Sequence, residues 1–392
     1  MMHLYIHIPF CRYRCDYCDF FTRTCVSGTR QKEVLRAIAA QAGELLQRFS
    51  PGTPETVYVG GGTPSALAPE ARDVLLALLG TLTGSGGAVR EVTVELNPED
   101  VTESLLDSLE ASGVNRLSLG VQSLRDETLA RIGRPATAGV TRRGLELVAR
   151  RWGGAPSGRY RWSADLLAGI PGGTPESTVR DLEEILTYAP EHISLYELGI
   201  ERDTALGLAL RRGRIASPPV DTVAEELEWV RNTLIGRGYI HYEVSNYALP
   251  GGRSVHNLGY WRMAPHLGIG PGAVGTLTGE EPIRYTNTRD FSLYCTAGDR
   301  GLREEGIAPR DFVKELLMMG LRTEEGVSLS RAAAYLGVDP AELIPETLAR
   351  WNVLPGSAPD RRIVLSSDIR NILDSFLLHA FAEIDRLTPP QS

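Results

Sequence analysis

The feature that most constrains this fold is a regular alternation of short strands and longer amphipathic helices over roughly the first 200 residues. Strands are predicted at Leu4–Ile8, Thr56–Val59, Glu91–Leu96, Asn115–Gly120, Arg161–Leu167 and His192–Tyr196. Strands separated by helices of about ten residues or more indicate βα units around a parallel sheet. Because polar motifs follow several strand ends, we predict an α/β fold with a partial barrel of (β/α)6 type rather than a doubly wound sheet.

The alternation weakens beyond residue 200. A helix is predicted at Thr222–Ile235 and a strand at Tyr239–Val244, whereas the segment 246–279 is rich in glycine and aromatic residues and shows little periodicity. Further helices and a short hairpin follow, which suggests a winged-helix-like end. We predict three domains: a barrel over residues 1–215, an α+β extension over 216–305, and a small, mostly helical C-terminal domain over 306–392.

Composition excludes several classes of protein. The chain has 392 residues, of which 42% are hydrophobic and 23% are charged, as in ordinary globular proteins. A net charge of −8 argues against a nucleic-acid partner held by a basic surface. No apolar run approaches the ~20 residues that span a membrane, which leaves only a peripheral membrane contact open. No segment reads as a signal peptide, and five cysteines with three of them clustered suit a reducing compartment, so we expect a cytoplasmic protein.

Three cysteines follow the first strand at a spacing that lets them hold one cofactor. Cys11, Cys15 and Cys18 occupy a predicted loop, and soft thiolates suit iron–sulfur clusters and zinc. A structural zinc ion would require a fourth protein ligand, and none follows closely. A cluster held by three thiolates leaves one iron open to a small molecule. Unrelated buried thiols, a disulfide with a spare thiol, and a zinc site completed by a distant histidine are the alternatives; Cys25 and Cys295 are interpreted as bystanders.

Polar residues and glycines mark the ends of the following strands. Gly60-Gly61-Gly62-Thr63-Pro64 ends the second strand, and its bare backbone permits close approach by a zwitterion, or simply a tight turn. Glu95 ends the third strand and shares a face with Thr93, opposite an apolar face. Gln122, Arg134 and Asp165 follow near later strand ends. Taken singly, each is more often a structural polar residue.

Together these motifs resemble the radical S-adenosylmethionine (SAM) superfamily. CxxxCxxC after a first strand and the GGTP segment are typical of it, and YIHIPFCxxxCxYCDF resembles its HemN/HemW group. The resemblance implies a [4Fe–4S] cluster held by Cys11, Cys15 and Cys18, with SAM bound beside it. The residues that match SAM-contacting positions are Tyr5, Gly61, Gly62, Thr63, Glu95, Gln122, Arg134 and Asp165.

Two functions share this group: oxygen-independent coproporphyrinogen III dehydrogenases, which carry out an oxidative decarboxylation in porphyrin biosynthesis, and heme chaperones. The dehydrogenases typically carry CxxxCxxCxC and an extra N-terminal segment. Here Phe20 replaces the last cysteine and only Met1–His3 precede the first strand. Both differences favour a radical SAM heme chaperone that lacks dehydrogenase activity. The alternatives are the dehydrogenase itself, a heme carrier with a purely structural cluster, and a radical SAM enzyme of unknown substrate.

Two segments of the second half resemble the chaperone branch. His256-Asn257-Leu258-Gly259-Tyr260-Trp261 matches an HNxxYW motif implicated in holding heme, which makes His256 the candidate axial ligand. A lone histidine among aromatic residues is more often a hydrogen-bonded core residue. The segment 268–275 resembles a GxGxGAHG loop in which Val274 stands in place of the usual histidine, so one ligand is missing. The implied partners are heme, SAM and an unidentified heme-accepting protein; a homodimer is left open.

Overall fold

The computed structural model describes residues 2–49, 53–84, 89–153, 158–297, 300–356 and 361–387. Within them, twelve strands form one sheet and two form a separate hairpin. The strands are β1 (His3–Ile8), β2 (Thr56–Gly61), β3 (Glu91–Leu96), β4 (Arg116–Gln122), β5 (Arg161–Ala168), β6 (His192–Glu197), β7 (Ile240–Glu243), β8 (Asn246–Ala248), β9 (His266–Ile269), β10 (Val274–Leu277), β11 (Ile283–Thr286), β12 (Arg303–Gly306), β13 (Val327–Ser328) and β14 (Arg362–Ile363).

Helices follow most of these strands, and short 3₁₀ turns lie at Pro64–Ala66 and Pro98–Asp100. The helices are α1 (Gly28–Phe49), α2 (Pro69–Thr83), α3 (Glu103–Ala111), α4 (Asp126–Arg131), α5 (Ala138–Trp152), α6 (Pro175–Leu186), α7 (Ala205–Arg211), α8 (Val220–Gly236), α9 (Val255–Trp261), α10 (Phe291–Thr296), α11 (Pro309–Gly320), α12 (Leu329–Leu336), α13 (Pro340–Leu343), α14 (Pro345–Arg350), α15 (Ser367–Asn371) and α16 (Leu373–Leu387). Of the helices in the described ranges, none is both long enough and apolar enough to cross a bilayer.

The large sheet has the order β12-β11-β10-β9-β1-β2-β3-β4-β5-β6-β8-β7. Strands β1 to β6 are parallel neighbours, and β9 lies parallel to the other side of β1. The added strands β10, β11 and β12 at one edge, and β8 and β7 at the other, are antiparallel. Since β12 and β7 are the sheet edges, the barrel stays open. The predicted α/β fold with a partial barrel and a helical C-terminal part is confirmed.

The two faces of β1 to β6 differ in polarity because side chains alternate along each strand. On one face lie apolar residues that join the side chains of α1, α2, α3, α5, α6 and α8 in a single core. That face carries Leu4, Ile6, Val57, Val59, Val92, Val94, Leu117, Leu119, Trp162, Ala164, Ile193 and Leu195. The opposite, inward face carries buried polar side chains. These include His3, Thr56, Glu91, Thr93, Arg116, Ser118, Ser163, His192 and Ser194.

Parallel strands bring the motifs together because all their carboxyl ends lie at the same rim. Hydroxyl caps start three of the helices that return from it. Thr102, Thr137 and Thr174 each accept a hydrogen bond from a backbone N–H of the first turn, at α3, α5 and α6. These caps fix where each βα loop ends and so help to position the rim.

A second apolar cluster lies in the C-terminal part of the chain. It joins the end of α11 and the hairpin β13–β14 to α14 and α16, with Leu317, Ile344, Ile363 and Phe376 fully buried. Ion pairing connects this part to α9, since Arg262 donates to both carboxylate oxygens of Glu325 at 2.8 and 2.6 Å.

Candidate cofactor site at the carboxyl ends of the strands

The cysteine loop is fixed by backbone hydrogen bonds on both sides. Cys11 N–H donates to the carbonyl of Arg23 at 3.1 Å, and Asp16 N–H donates to the carbonyl of Ile132 at 3.0 Å. The carbonyl of Asp16 in turn accepts from Leu206 N–H at 2.8 Å. The loop is therefore tied to the turn after α4 and to the first turn of α7, which preorganises the three thiols.

Cys11, Cys15 and Cys18 line one cavity of about 440 Å³. Burial raises the pKa of all three thiols, that of Cys15 to about 11. No three histidine, cysteine or carboxylate side chains of the described residues are arranged to hold a single metal ion. The three thiolates of a [4Fe–4S] cluster bind three different irons and need not meet at one point. The donor set therefore fits such a cluster better than a lone zinc ion.

The glycine segment after β2 packs directly on the start of the cysteine loop. Gly62 N–H donates to the carbonyl of Ile8 and Thr63 N–H to that of Phe10, both at 2.7 Å. A Cβ on Gly62 would lie 2.4 Å from the Phe10 carbonyl oxygen, and one on Gly61 (φ +106°) would meet the His7 ring at 2.3 Å. No other residue type fits here without displacing β1. The Thr63 hydroxyl reaches the Cys11 thiol at 3.4 Å, so both motifs form one structure.

Glu95 lies behind the glycine segment with both carboxylate oxygens engaged. It accepts a hydrogen bond from the Tyr58 hydroxyl at 2.8 Å and one from Gly61 N–H at 3.1 Å. Burial raises the pKa of Glu95 to about 7, although these two hydrogen bonds favour the ionised form. The carboxyl group therefore changes charge near neutral pH.

Asp165 is a second carboxylate with a raised pKa in the same cavity. Its oxygens accept from the Ser118 hydroxyl at 3.0 and 3.2 Å, and burial raises its pKa to about 6. Two poorly solvated carboxyl groups facing one cavity favour a cationic ligand, because a bound cation restores the ionised form of both.

Gln122 and Arg134 complete the rim. Gln122 has φ +66°, a conformation that L-residues rarely adopt, just after an irregularity in the pairing of β4 with β5. The side chain of Arg134 is only 4% exposed, and its Nη2 donates to Asn97 at 3.3 Å and Glu99 at 3.4 Å. Its buried Nε has no hydrogen-bond partner among the described residues. A guanidinium donor is thus left for an acceptor that the protein does not supply.

All of the predicted site residues except Tyr5 and His256 line this cavity. The hydroxyl of Tyr5 lies 3.0 Å from His7 Nδ1, and its ring is 6.2 Å from that of Tyr58. His256 is fully buried and packs against the inward face of the sheet. Its Nδ1 lies 2.7 Å from the Thr56 hydroxyl, and its Nε2 has no partner within the described ranges. The assignments of Tyr5 to SAM and of His256 to heme stay predictions.

Sequence reasoning missed several residues that support the site. Tyr58 holds Glu95, Asn97 holds Arg134, and Ser118 holds Asp165. Strand alternation was a usable signal, because Tyr58 shares the inward face with Gly60, and Ser118 shares it with Gly120. Which side chains would meet across strands depends on the register, which the sequence does not give.

Comparison with known proteins agrees with this geometry. Residues 5–185 match the radical SAM superfamily, and residues 307–352 match the HemN C-terminal domain. The chain is 34% identical over 329 residues to a heme chaperone HemW of Lactococcus lactis, covering 83% of each chain. It is 30% identical over 349 residues to a heme chaperone HemW of Bacillus subtilis, covering 89% of this chain and 90% of the relative.

One solved structure extends the comparison to the fold. Coproporphyrinogen III oxidase (HemN) from Escherichia coli superposes with a TM-score of 0.78, covering 97% of this chain and 89% of that chain. At 19% sequence identity this likeness concerns the fold alone. The cysteine loop, the glycine segment, the fold and the sequence identity all indicate the same family. The chain belongs to the radical SAM superfamily and, within it, to the family of the heme chaperone HemW.

Proposed function

We propose that this protein is a heme chaperone that binds heme and transfers it to an acceptor protein. The observation that carries the proposal is its 30–34% identity to proteins named heme chaperone HemW over more than four-fifths of both chains. We propose the cytoplasm as its location, since none of the five cysteines is joined in a disulfide, as expected in a reducing compartment.

We assign the cluster to Cys11, Cys15 and Cys18. A bound [4Fe–4S] cluster supplies an iron with an open coordination position and a one-electron donor. The protein fixes the loop through Arg23, Ile132 and Leu206, and its thiols give up their protons on metal binding because only thiolates are ligands.

We assign SAM to the part of the cavity next to the cysteines. Gly61, Gly62 and Thr63 line the part of the cavity assigned to its methionine group, and Glu95 and Asp165 offer carboxylates to its positive charges. Gln122 and Arg134 complete the contacts, and Arg134 Nε supplies the free donor described above. Tyr5 is assigned to SAM by resemblance alone, since it does not line this cavity.

The alternative function is coproporphyrinogen III decarboxylation. Phe20 stands where the dehydrogenases of this group typically have a further cysteine, and its side chain is 67% exposed at the cavity. The likeness to HemN, at 19% identity, supports the fold and not the activity. We therefore favour the chaperone.

The deciding experiment uses the cluster-reconstituted chain under anaerobic conditions with SAM and a reductant. We expect heme to bind at one per chain and to move to an apo-hemoprotein such as apomyoglobin, read from the acceptor's own Soret band. Coproporphyrinogen III in a parallel reaction should remain unchanged by chromatography, with an active dehydrogenase as control. Repeated formation of the doubly decarboxylated product would overturn the proposal, as would the absence of heme binding.

The variant Cys15→Ser, which should lack the cluster, tests the part played by the cofactor. Slower transfer than in the wild type would support a chaperone that uses its cluster. Unchanged transfer would show instead a heme carrier whose cluster is structural.

A further inference from the structure

A second cavity, of about 560 Å³, lies beside the cofactor site where the large sheet fails to close. We call it the side cavity. The end of β6 and the turn between β7 and β8 form one wall, β9 to β11 form the other, and α9 and α11 cover the gap. Tyr196 lines both cavities, so a ligand in the side cavity would lie next to the cofactor.

The lining of the side cavity is suited to a large apolar ligand with a soft metal centre. Of the five methionines in the chain, Met263, Met318 and Met319 all line it, together with Tyr260 and Trp261. Flexible thioethers adapt to flat ligands and can bind heme iron. The volume lies within the range of about 300–1,000 Å³ typical of sites for ligands of cofactor size.

The charged groups of the side cavity all have partners within the protein. Arg284 donates to both oxygens of Glu315 at 2.9 and 2.6 Å. Glu243 accepts from Ser245 N–H at 2.8 Å and also from the amide of Asn246. A porphyrin ring would therefore meet one ion pair, one hydrogen-bonded carboxyl group and apolar surface rather than a polar group without a partner.

His266 is the histidine of this lining. Its Nδ1 lies 3.4 Å from the carbonyl of Ala264 and can donate to it, which leaves Nε2 as the nitrogen with a free lone pair. Nε2 has no hydrogen bond to any residue that the structure describes. Burial lowers the pKa of His266 to about 4, so the ring is neutral at physiological pH. A neutral imidazole anchored through Nδ1 is the usual form of a metal-binding histidine.

The position of His266 also relates it to the loop in which Val274 stands in place of a histidine. His266 on β9 pairs with Thr276 on β10, and Val274, two residues earlier on the same face, lines the same cavity. His256 does not line it. The ring of Tyr260 lies between the two histidines, 4.7 Å from each ring, so His256 supports the wall from behind.

We propose that the side cavity is the heme site and that His266 supplies an axial ligand to the iron through Nε2. The inference rests on the proposed function, because heme is the cargo there, but it adds the location and the ligand. It also places the heme against Tyr196, within one side chain of the SAM site.

The test is a titration of the full-length, cluster-loaded chain with hemin, followed by absorbance and EPR of the ferric heme. In His266→Ala we expect heme affinity to fall about tenfold or more, as for loss of a metal contact. The ferric spectra should change, and added imidazole should restore them. His379→Ala serves as the matched control. This half-buried histidine on α16 hydrogen-bonds to the Ser375 carbonyl and lines neither cavity, so both readouts should stay unchanged.

The possible failures are distinguishable. If the wild-type chain binds no heme, the proposed function itself is wrong. If it binds heme and His266→Ala keeps the wild-type affinity and spectra, the inference is wrong. If only His256→Ala loses the wild-type affinity and spectra, the ligand is His256. Cluster absorbance near 400 nm (roughly the thiolate-to-iron charge-transfer region), read before hemin is added, reports folding. If the alanine variant fails to fold, His266→Gln, which retains a polar side chain of similar size, replaces it.

Discussion

Glu95 and Asp165 show how single residues of the cofactor site depend on their surroundings. Each carboxyl group is half-buried and faces the cavity at the rim of the barrel, and each is held by a hydroxyl from a neighbouring strand, Tyr58 or Ser118. Burial disfavours the charge that these hydroxyls favour, and burial dominates. Both carboxyl groups therefore respond to whatever cation enters the cavity.

The first prediction concerns the pH dependence of SAM binding. Because the pKa of Glu95 is raised to about 7, its carboxyl group loses its charge as the pH falls through that value. We expect the affinity for SAM to fall between pH 8 and pH 6, measured by calorimetry on the cluster-loaded chain. Glu95→Gln should bind SAM about tenfold more weakly at pH 8, since a charged hydrogen bond is worth roughly 1.5–3 kcal/mol, and should lose this part of the pH dependence.

Glu280→Gln, a change at an exposed carboxylate, is the control and should behave as the wild type. A variant at Glu95 that keeps the full pH dependence would contradict the assignment.

The same raised pKa of Glu95 has an effect on folding. The folded chain binds this proton more tightly than the unfolded chain, so the contribution of Glu95 to stability falls as the pH rises from 4.5 to about 7.

At the scale of single residues, the sequence predicted the residues of the cofactor site better than the neighbouring side chains that hold them in place. The spacing of Cys11, Cys15 and Cys18 and the glycine segment lie in local motifs, which can be recognised without a structure. Ser118 is adjacent to Asp165 only because β4 and β5 pair in the observed register. That register follows from the packing of the whole sheet, and single-strand patterns do not contain it.

Among the secondary-structure elements, α9 shows how distant parts of the chain depend on one another. Its first backbone N–H groups, from Val255 and His256, donate to the carboxylate of Glu91 at 3.0 and 2.9 Å. Glu91 belongs to β3 and is itself buried, with Arg116 Nη1 3.8 Å away. A strand of the barrel therefore caps the helix that forms one wall of the side cavity.

The second prediction tests this cap. Glu91→Ala removes the acceptor of two helix N–H groups and leaves the buried Arg116 without its carboxylate, so we expect a loss of about 3 kcal/mol in the free energy of unfolding. Hydrogen exchange should accelerate first at the amides of Val255 and His256. Glu103→Ala removes exposed ion pairs with Arg150 and Arg151 and should cost less than about 1 kcal/mol. Equal losses in both variants would refute the capping role.

The elements of segment 246–279 were not predicted, and their lengths explain why. β8, α9, β9 and β10 span only three to seven residues each, too few to show a full hydrophobic period. Tertiary contacts hold them instead. For example, β9 pairs along β1, and Gly270 N–H donates to the side chain of Gln41 on α1 at 2.9 Å. Local patterns predicted β1 to β6 because those strands are long and separated by amphipathic helices.

At the scale of the whole molecule, the apolar side chains of the barrel and those of the C-terminal helices form separate clusters. One cluster lies between the large sheet and its helices, and another lies among the C-terminal helices around Phe376. The sequence predicted a separate helical end, but not that α11 would reach back to cover the opening of the barrel. That contact depends on the sheet remaining open, which is a property of twelve strands together.

The third prediction concerns the independence of these clusters. Phe376 is fully buried beside Trp351, with ring centroids 5.9 Å apart, so Phe376→Ala should destabilise the C-terminal part by about 3–5 kcal/mol. Hydrogen exchange should then accelerate across α11 to α16. Strands β1 to β6 should stay protected, and the three cysteines should still bind an iron–sulfur cluster. Leu378→Ala on the same helix, at a side chain 72% exposed, is the control; uniform loss of protection would show that the two clusters unfold as one.

The polar inward face of the barrel has a consequence for how such a protein diversifies. The residues that hold the sheet to its helices point outward, whereas Thr93, Ser118 and Ser163 point inward and contribute little apolar packing. Substitutions at inward positions can therefore alter what the barrel binds while leaving the main apolar core intact. Over evolutionary time the inward face can acquire new chemistry at such positions, because the main apolar core lies on the opposite face of the same strands.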